Sequence, residues 1–372
     1  MLNHQYIDKD ANVIDETLFA DRIIQWLYSS ARERSPSVFK ALTGSFSSKL
    51  LAHLNFDMAL TTRLLGNKKF LKQCGVNLDE CIDPPESFTT ARRIFERKIK
   101  YWECRPQPNE TEAVLSPADS RMLIGSFSDD SPLRIKDKFF KFEEMLGEDK
   151  TRWLTAFEDG DFAIFRLTPD KYHYNHVPVS GKVVDIYELD GHFHSCNPGA
   201  IVKVVTPYSK NRRVVTVIDT DIPGGSNVGL VAMVEVVALM IGEIEQCYSD
   251  REYDNPVPVE PGLFLKKGQP KSLYHPGSST DVLIFQKDRI QFSERIISNL
   301  MHEQAQSRFN QAFNQPLIET DVAVRSHIAM PAHTKKRLVN GHSQTKSQED
   351  SSQLFAVTGL SQTPNTQTTI VE

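Results

Sequence analysis

A serine flanked by small residues and followed by an apolar strand puts a hydroxyl where a backbone can be cut by its own side chain. Gly277-Ser278-Ser279-Thr280, ahead of Asp281-Val282-Leu283-Ile284-Phe285, has that layout. Alone it decides nothing, because Gly-Ser-Ser is common in loops. Two upstream segments supply the remaining parts of an activated hydroxyl: Ser116-Pro117-Ala118-Asp119 and Tyr172-His173-Tyr174-Asn175-His176-Val177-Pro178. A serine attacks a carbonyl only when a base takes its proton, and a carboxylate can orient that base. Asp119, His173, His176 and the pair Ser278 and Ser279 are therefore the candidate catalytic residues.

Turned on its own preceding carbonyl, such a serine undergoes an N-to-O acyl shift. Elimination from the ester cuts the chain and leaves dehydroalanine, which hydrolyses to a pyruvoyl group. A pyruvoyl carbonyl condenses with a substrate amine and withdraws electrons from its α-carbon, so loss of CO2 becomes easy. This is the electron-sink role otherwise taken by pyridoxal phosphate. Each piece also has a bland reading: Asp119 as a simple turn carboxylate, the histidines as packed or capping side chains. The order of the three segments favours the chemical reading. Zinc is the rival, since His173, His176, His192 and His194 are four imidazoles close in sequence. No His-Glu-x-x-His accompanies them, and His192-Phe193-His194 reads as alternate strand positions, so no metal is assigned.

The elements that must position these residues fall into three stretches. Residues 14–104 read mainly as helix, with Phe19, Ile23, Trp26 and Leu27 on one face and Phe46, Leu50, Leu51 and Leu54 in a second block. Lys49, Arg63, Lys68, Lys69 and Lys72 surround that block. It is either an amphipathic surface for acidic lipid headgroups or a helix packed on its own domain. From residue 112 to 290, β-branched and aromatic runs such as Asp161–Leu167, Gly181–Tyr187 and Arg213–Ile218 alternate with Pro and Gly. Ser293 to Phe313 adds a helix. Beyond Gln315 the chain is rich in Ser, Thr, Gln and Asn and too poor in apolar residues to offset the entropy of ordering. The expected fold class is α+β: a helical, membrane-contacting region at 1–104, packed on a β-rich catalytic domain at 105–314, with a disordered tail at 315–372.

A net charge of -5 over 372 residues offers no general attraction for nucleic acid. Five scattered cysteines without Cys-x-x-Cys spacing argue against a disulfide framework or a cysteine zinc site. The first residues lack an apolar core and do not read as a signal peptide. The strongest apolar stretch, Val228 to Gly242, is short and interrupted by Glu235, so it does not read as a span. Any membrane contact is expected to be peripheral, at the cytoplasmic face.

These segments resemble the phosphatidylserine decarboxylases, a family of self-processing pyruvoyl enzymes. Ser87-Phe88-Thr89-Thr90 through Ile94, Phe95 and Arg97 is similar to the family's Ser-Tyr-x-Thr-Phe-Asn-x-Phe-Phe-x-Arg helix, and Leu115–Asp119 to its Pro-Ala-Asp-Gly motif. Phe139–Gly147 resembles its Tyr-Ser-Leu-x-x-Leu-Leu-Gly stretch. The closest match runs from Phe165-Arg166-Leu167-Thr168-Pro169 through Tyr172, His173, His176 and Gly181. Cys196-Asn197-Pro198 and Asn211–Val214 are similar to Val-Asn-Pro and Asn-Glu-Arg-Val. The likeness covers roughly residues 70 to 290.

The resemblance implies that Asp119 and His176 are the acid and base of self-cleavage and that His173 acts in decarboxylation. It implies a covalent pyruvoyl group made from Ser279 or Ser278. Spacing back from Phe285 selects Ser279, while counting forward from Lys267-Gly268 permits either; Ser279 is chosen, with cleavage after Ser278. It further implies conversion of phosphatidylserine to phosphatidylethanolamine and CO2 at a membrane surface, with cleaved α and β chains that stay together in a homodimer. Three departures stand out: Ser120 replaces a glycine, Arg212 replaces a glutamate, and Lys267–Tyr274 lacks the family's Glu-x-Gly-x-Phe approach to the cleavage site. They keep two alternatives open, a decarboxylase of a soluble amino acid and an unprocessed, non-catalytic binding homologue.

Overall fold

A computed structural model describes residues 3–18, 76–135, 138–203, 206–238, 243–276 and 279–332. Its strands are β1 (Gln5–Ile7), β2 (Val13–Asp15), β3 (Val114–Leu115), β4 (Ser120–Ser126), β5 (Asp161–Leu167), β6 (Tyr174–His176), β7 (Gly181–Leu189) and β8 (Arg213–Asp219). These are followed by β9 (Leu230–Val237), β10 (Ile244–Gln246), β11 (Phe264–Leu265), β12 (Pro270–Tyr274), β13 (Ser279–Phe285), β14 (Ile290–Phe292), β15 (Glu319–Val322) and β16 (His327–Pro331). Ten form one sheet in the order β11-β7-β8-β9-β13-β5-β4-β15-β1-β2. Two three-stranded sheets, β10-β12-β6 and β14-β16-β3, complete the fold. With short helices such as Ala91–Phe95, Tyr101–Cys104 and Thr151–Phe157, the class is α+β.

The centre of the large sheet explains its sequence. Strands β9 and β13 are buried along almost their whole length, so both faces meet core, and both read as continuous apolar runs rather than alternating ones. Val282, Leu283, Ile284 and Phe285 are wholly inaccessible. Each fully buried apolar side chain of this kind contributes about 1.5–3 kcal/mol. Two charged residues break the pattern, Glu235 on β9 and Asp281 on β13, and they lie opposite each other in register.

The structure corrects the expected boundaries at both ends. Residues 5–7 and 13–15 are strands joined by a turn: β1 pairs with β2 and lies parallel to β15. The domain also runs past residue 314, since β15 pairs with β4 and β16 pairs with both β3 and β14. Glu319 makes β15 look polar, but its carboxylate is buried against the Arg166 guanidinium and His4, at 2.6 and 2.7 Å. The compact unit ends at Pro331. The apolar and basic blocks between Phe19 and Lys72, and the tail beyond Ala332, lie outside the described residues.

Candidate active site

Ser279 opens β13 and is completely buried. It faces Leu167 of β5 on one side and Val237 of β9 on the other. Asp119 immediately precedes β4. Arg121, Arg166 and Thr280 are matched across β4, β5 and β13, so Asp119 and Ser279 sit at the same end of the sheet. Strands lie about 4.8 Å apart, which places two-strand neighbours about 10 Å apart. The small sheet closes over this end. The His176 amide donates to the Pro117 carbonyl at 2.7 Å, hooking β6 onto the Ser116–Asp119 turn. The Tyr274 amide donates to the His173 carbonyl at 3.1 Å, and the Tyr274 hydroxyl reaches Thr280 O at 3.1 Å. All three sequence segments therefore converge. Gly277 and Ser278 lie outside the described residues.

Asp119 is buried and accepts from Arg105 Nε at 3.0 Å, Arg105 Nη2 at 2.9 Å and the Val324 amide at 2.7 Å. Burial pushes its pKa up, but the Arg105 hydrogen bonds and charge outweigh that and hold it below the usual carboxylate value. His176 is buried too. Its Nδ1 lies 2.9 Å from the Gly268 carbonyl, which can only accept, so Nδ1 carries the proton and Nε2 the lone pair. Nε2 is met by the Tyr172 hydroxyl at 2.9 Å, backed by the Tyr253 hydroxyl at 2.7 Å from Tyr172. Burial lowers the His176 pKa to about 3, so the ring is neutral at physiological pH. Gly268 has φ +77°, and a side chain there would collide with Gln107; glycine is what brings that carbonyl to His176.

His173 is held differently. Its ring stacks on Phe95 with centroids 3.5 Å apart, and neither ring nitrogen has a hydrogen-bond partner. Burial, and then the nearby Arg97 cation, drive its pKa well below the ordinary value. Ser279 Oγ is likewise buried and unpartnered. Orphaned polar atoms in a dry interior are costly and call for an explanation, of which a ligand or a reaction is one. A neutral imidazole and a serine hydroxyl at one end of a sheet, both unsatisfied, suit a self-cleaving serine and the pyruvoyl group that would replace it. Asp119 and His176 do not hydrogen-bond each other here: Arg105 takes the first, and Gly268 and Tyr172 take the second.

The four imidazoles weighed as zinc ligands are not gathered. His192 and His194 lie side by side, with centroids 5.4 Å apart, while His173 and His176 have the separate surroundings just described. Among the described residues one donor group could suit a metal, His4, Glu16 and Glu319. The Arg166 guanidinium already bridges both carboxylates, at 2.7 and 2.6 Å.

The family model for phosphatidylserine decarboxylase matches residues 92–313, which include Asp119, His173, His176 and Ser279. The chain belongs to the phosphatidylserine decarboxylase family. Among curated relatives, phosphatidylserine decarboxylase proenzyme 2 of rice (Oryza sativa subsp. japonica) is 35% identical over 60% of this chain, which spans only 34% of that protein's length. Bacterial relatives match over most of their length. The phosphatidylserine decarboxylase proenzyme of Ruminiclostridium cellulolyticum is 28% identical over 76% of this chain and 87% of its own. That of Vibrio parahaemolyticus is 30% identical over 63% of this chain and 82% of its own. No helix among the described residues is long and apolar enough to cross a membrane.

Sequence reasoning missed Arg105, Gly268, Tyr253 and Tyr274, whose contacts span distant parts of the chain. It also passed over Glu235, Lys271 and Asp281, although a charge inside an apolar strand was a usable signal. Of these, Lys271 lies in the stretch that lacks the family's Glu-x-Gly-x-Phe approach, where Lys271, Ser272 and Tyr274 are buried on β12.

Proposed function

We propose that this phosphatidylserine decarboxylase family member cuts itself before Ser279 and then converts phosphatidylserine to phosphatidylethanolamine and CO2 at a membrane surface. The observation that carries the reading is the buried, unpartnered Ser279 hydroxyl at the head of β13, together with an equally unpartnered His173 whose carbonyl is held by Tyr274, the residue that also reaches Thr280. Ser279 Oγ attacks the Ser278 carbonyl carbon, the C–N bond breaks, and the Ser279 nitrogen takes the proton. Removal of the Ser279 α-proton then expels the Ser278 carboxylate, and hydrolysis releases ammonia. His176, neutral and with its lone pair on Nε2, is the base, once Tyr172 yields that nitrogen. Asp119 fixes the turn on which β6 is hooked. The pyruvoyl group so formed supplies the electron sink for loss of CO2. His173, dry and without a competing partner, holds or returns the proton at the substrate α-carbon.

The same geometry supports lasting association of the cleaved pieces. The piece beginning at Ser279 contributes β13, gripped on both sides by β5 and β9 of the other piece. It also contributes Glu319, buried against Arg166 and His4. Peripheral attachment at the cytoplasmic face and a homodimer complete the proposal, following the family resemblance. The test is turnover by the purified, processed protein of phosphatidylserine in liposomes against free serine and other free amino acids. Phosphatidylethanolamine and CO2 from liposomes are expected. Turnover confined to a free amino acid would replace the lipid by a soluble substrate, and an uncut, inactive chain would leave a binding protein.

A further inference from the structure

Behind Ser279, on the same face of the sheet, lies a buried polar cluster that the chemistry above does not use. Glu235, Lys271, Ser272 and Asp281 are all wholly inaccessible. Glu235 accepts from Lys271 Nζ at 2.7 Å, Gln246 Nε2 at 2.8 Å, Asn175 Nδ2 at 3.4 Å and the Ser272 hydroxyl. With four donors around two oxygens, it is a satisfied carboxylate. Asp281 sits directly across from it on β13, two residues beyond Ser279. We propose that Tyr274 and Asp281 form a clamp that positions Ser279 and the bond before it for self-cleavage. This rests on the self-processing reading given above.

The chain leaves β12 at Tyr274 and enters β13 at Ser279, so the segment to be cut is the short link between them. The Tyr274 side chain bridges the mouth of that link. Its hydroxyl lies 3.1 Å from the Thr280 carbonyl and 2.8 Å from Asp281 Oδ1, while its amide holds the His173 carbonyl. A phenol has one proton. The Thr280 carbonyl can only accept, so when Tyr274 donates to it, the second contact is made by a proton on Asp281.

The surroundings agree. Lys271 is already committed to Glu235 and to Gln246 Oε1 at 2.7 Å, and Asp281 Oδ2 has no partner. The residue opposite Asp281 on β5 is Phe165, which offers no charge. A second buried carboxylate there would face Glu235 with no ion pair of its own among the described residues, eased only by the Lys271 charge and the Tyr274 hydroxyl. Burial, then the Glu235 charge, raise the Asp281 pKa well above the ordinary value, as that arrangement requires. Asp281 is thus a neutral acid whose proton frees the Tyr274 proton to hold Thr280. Asparagine can play the same part.

The test is the rate of self-cleavage of full-length chains made by cell-free translation, followed on denaturing gels. Asp281→Asn is expected to cut within about twofold of the wild type. Asp281→Ala and Tyr274→Phe should each be slowed tenfold or more, with melting curves establishing that the chains are folded. A merely structural carboxylate would not be rescued by Asn in this pattern. Asp281→Asn that is as slow as Asp281→Ala, or that does not fold, overturns the clamp. So does Tyr274→Phe cutting at the wild-type rate, which decides the matter even if Asp281→Ala is insoluble. A wild-type chain that never cuts would sink the function proposed above and the clamp with it, whereas a cutting wild type with indifferent variants would sink the clamp alone.

Discussion

Arg105→Met removes the one cation that, among the described residues, is hydrogen-bonded to Asp119, and the cost can be bounded from both sides. Asp119 is buried, and Arg105 grips it through Nε and Nη2. Breaking a buried pair by deleting one partner costs about 3–5 kcal/mol. The variant can escape by protonating Asp119, which from an ordinary pKa of about 3.9 costs about 4 kcal/mol at pH 7. The two routes agree, and the expected loss at pH 7 is about 3–4 kcal/mol. Loss of the outer Arg105–Glu80 pair adds at most about 1 kcal/mol.

The pH dependence has a definite sign. In the wild type the folded pKa of Asp119 lies below the unfolded one, so its contribution is present above the unfolded pKa and lost as pH falls through the folded value. In the variant burial is opposed by only the Lys171 charge and the Val324 amide, so the pKa rises from its wild-type position; the penalty is greatest near neutrality and shrinks by up to about 1.4 kcal/mol per pH unit towards acid. Urea unfolding at pH 7 and pH 5, in a Ser279→Ala background that keeps one chain, measures both. Adding Asp119→Asn should recover more than half of the loss, because no buried charge is then left unpaired. A variant within about 1 kcal/mol of its parent at both pH values would refute the reasoning.

His176 gives a second pH signature. Its pKa of about 3 lies below an unfolded value near 6.5, so its contribution is complete above pH 6.5 and lost as pH falls towards 3. Melting curves from pH 7.5 to 4.5 should fall less steeply for His176→Gln than for the wild type; parallel curves would contradict the assignment. His173→Asn is expected to self-cleave and then fail to release CO2 from phosphatidylserine, and an uncut His173→Asn chain would move that residue into the cleavage step. After cleavage, native mass spectrometry should find both pieces together, since Val282–Phe285 alone bury about 6–12 kcal/mol of apolar contact between β5 and β9. Free small fragment under native conditions would refute that.

The central strands were legible because a strand buried on both faces must be a short run of β-branched and aromatic residues, as Val282–Phe285 and Arg213–Ile218 are. That the segments carrying Asp119, His173, His176 and Ser279 are tied to one another was foreseeable from order and resemblance. What escaped were features settled by distant partners. Glu319–Val322 looked like polar tail because the Arg166 and His4 that bury Glu319 lie far away in the chain. Gln5–Ile7 and Val13–Asp15 are too short to show a period. The raised pKa of Asp281 follows first from its burial and then from Glu235 lying opposite it, a relation of register that no local pattern encodes.

The most direct test of the account is an intact mass of the purified protein under denaturing conditions. Cleavage before Ser279 predicts a fragment of about 11 kDa, a quarter of the 42.2 kDa chain, blocked at its N-terminus and reactive towards a carbonyl reagent. A single unreactive species of 42.2 kDa would contradict it.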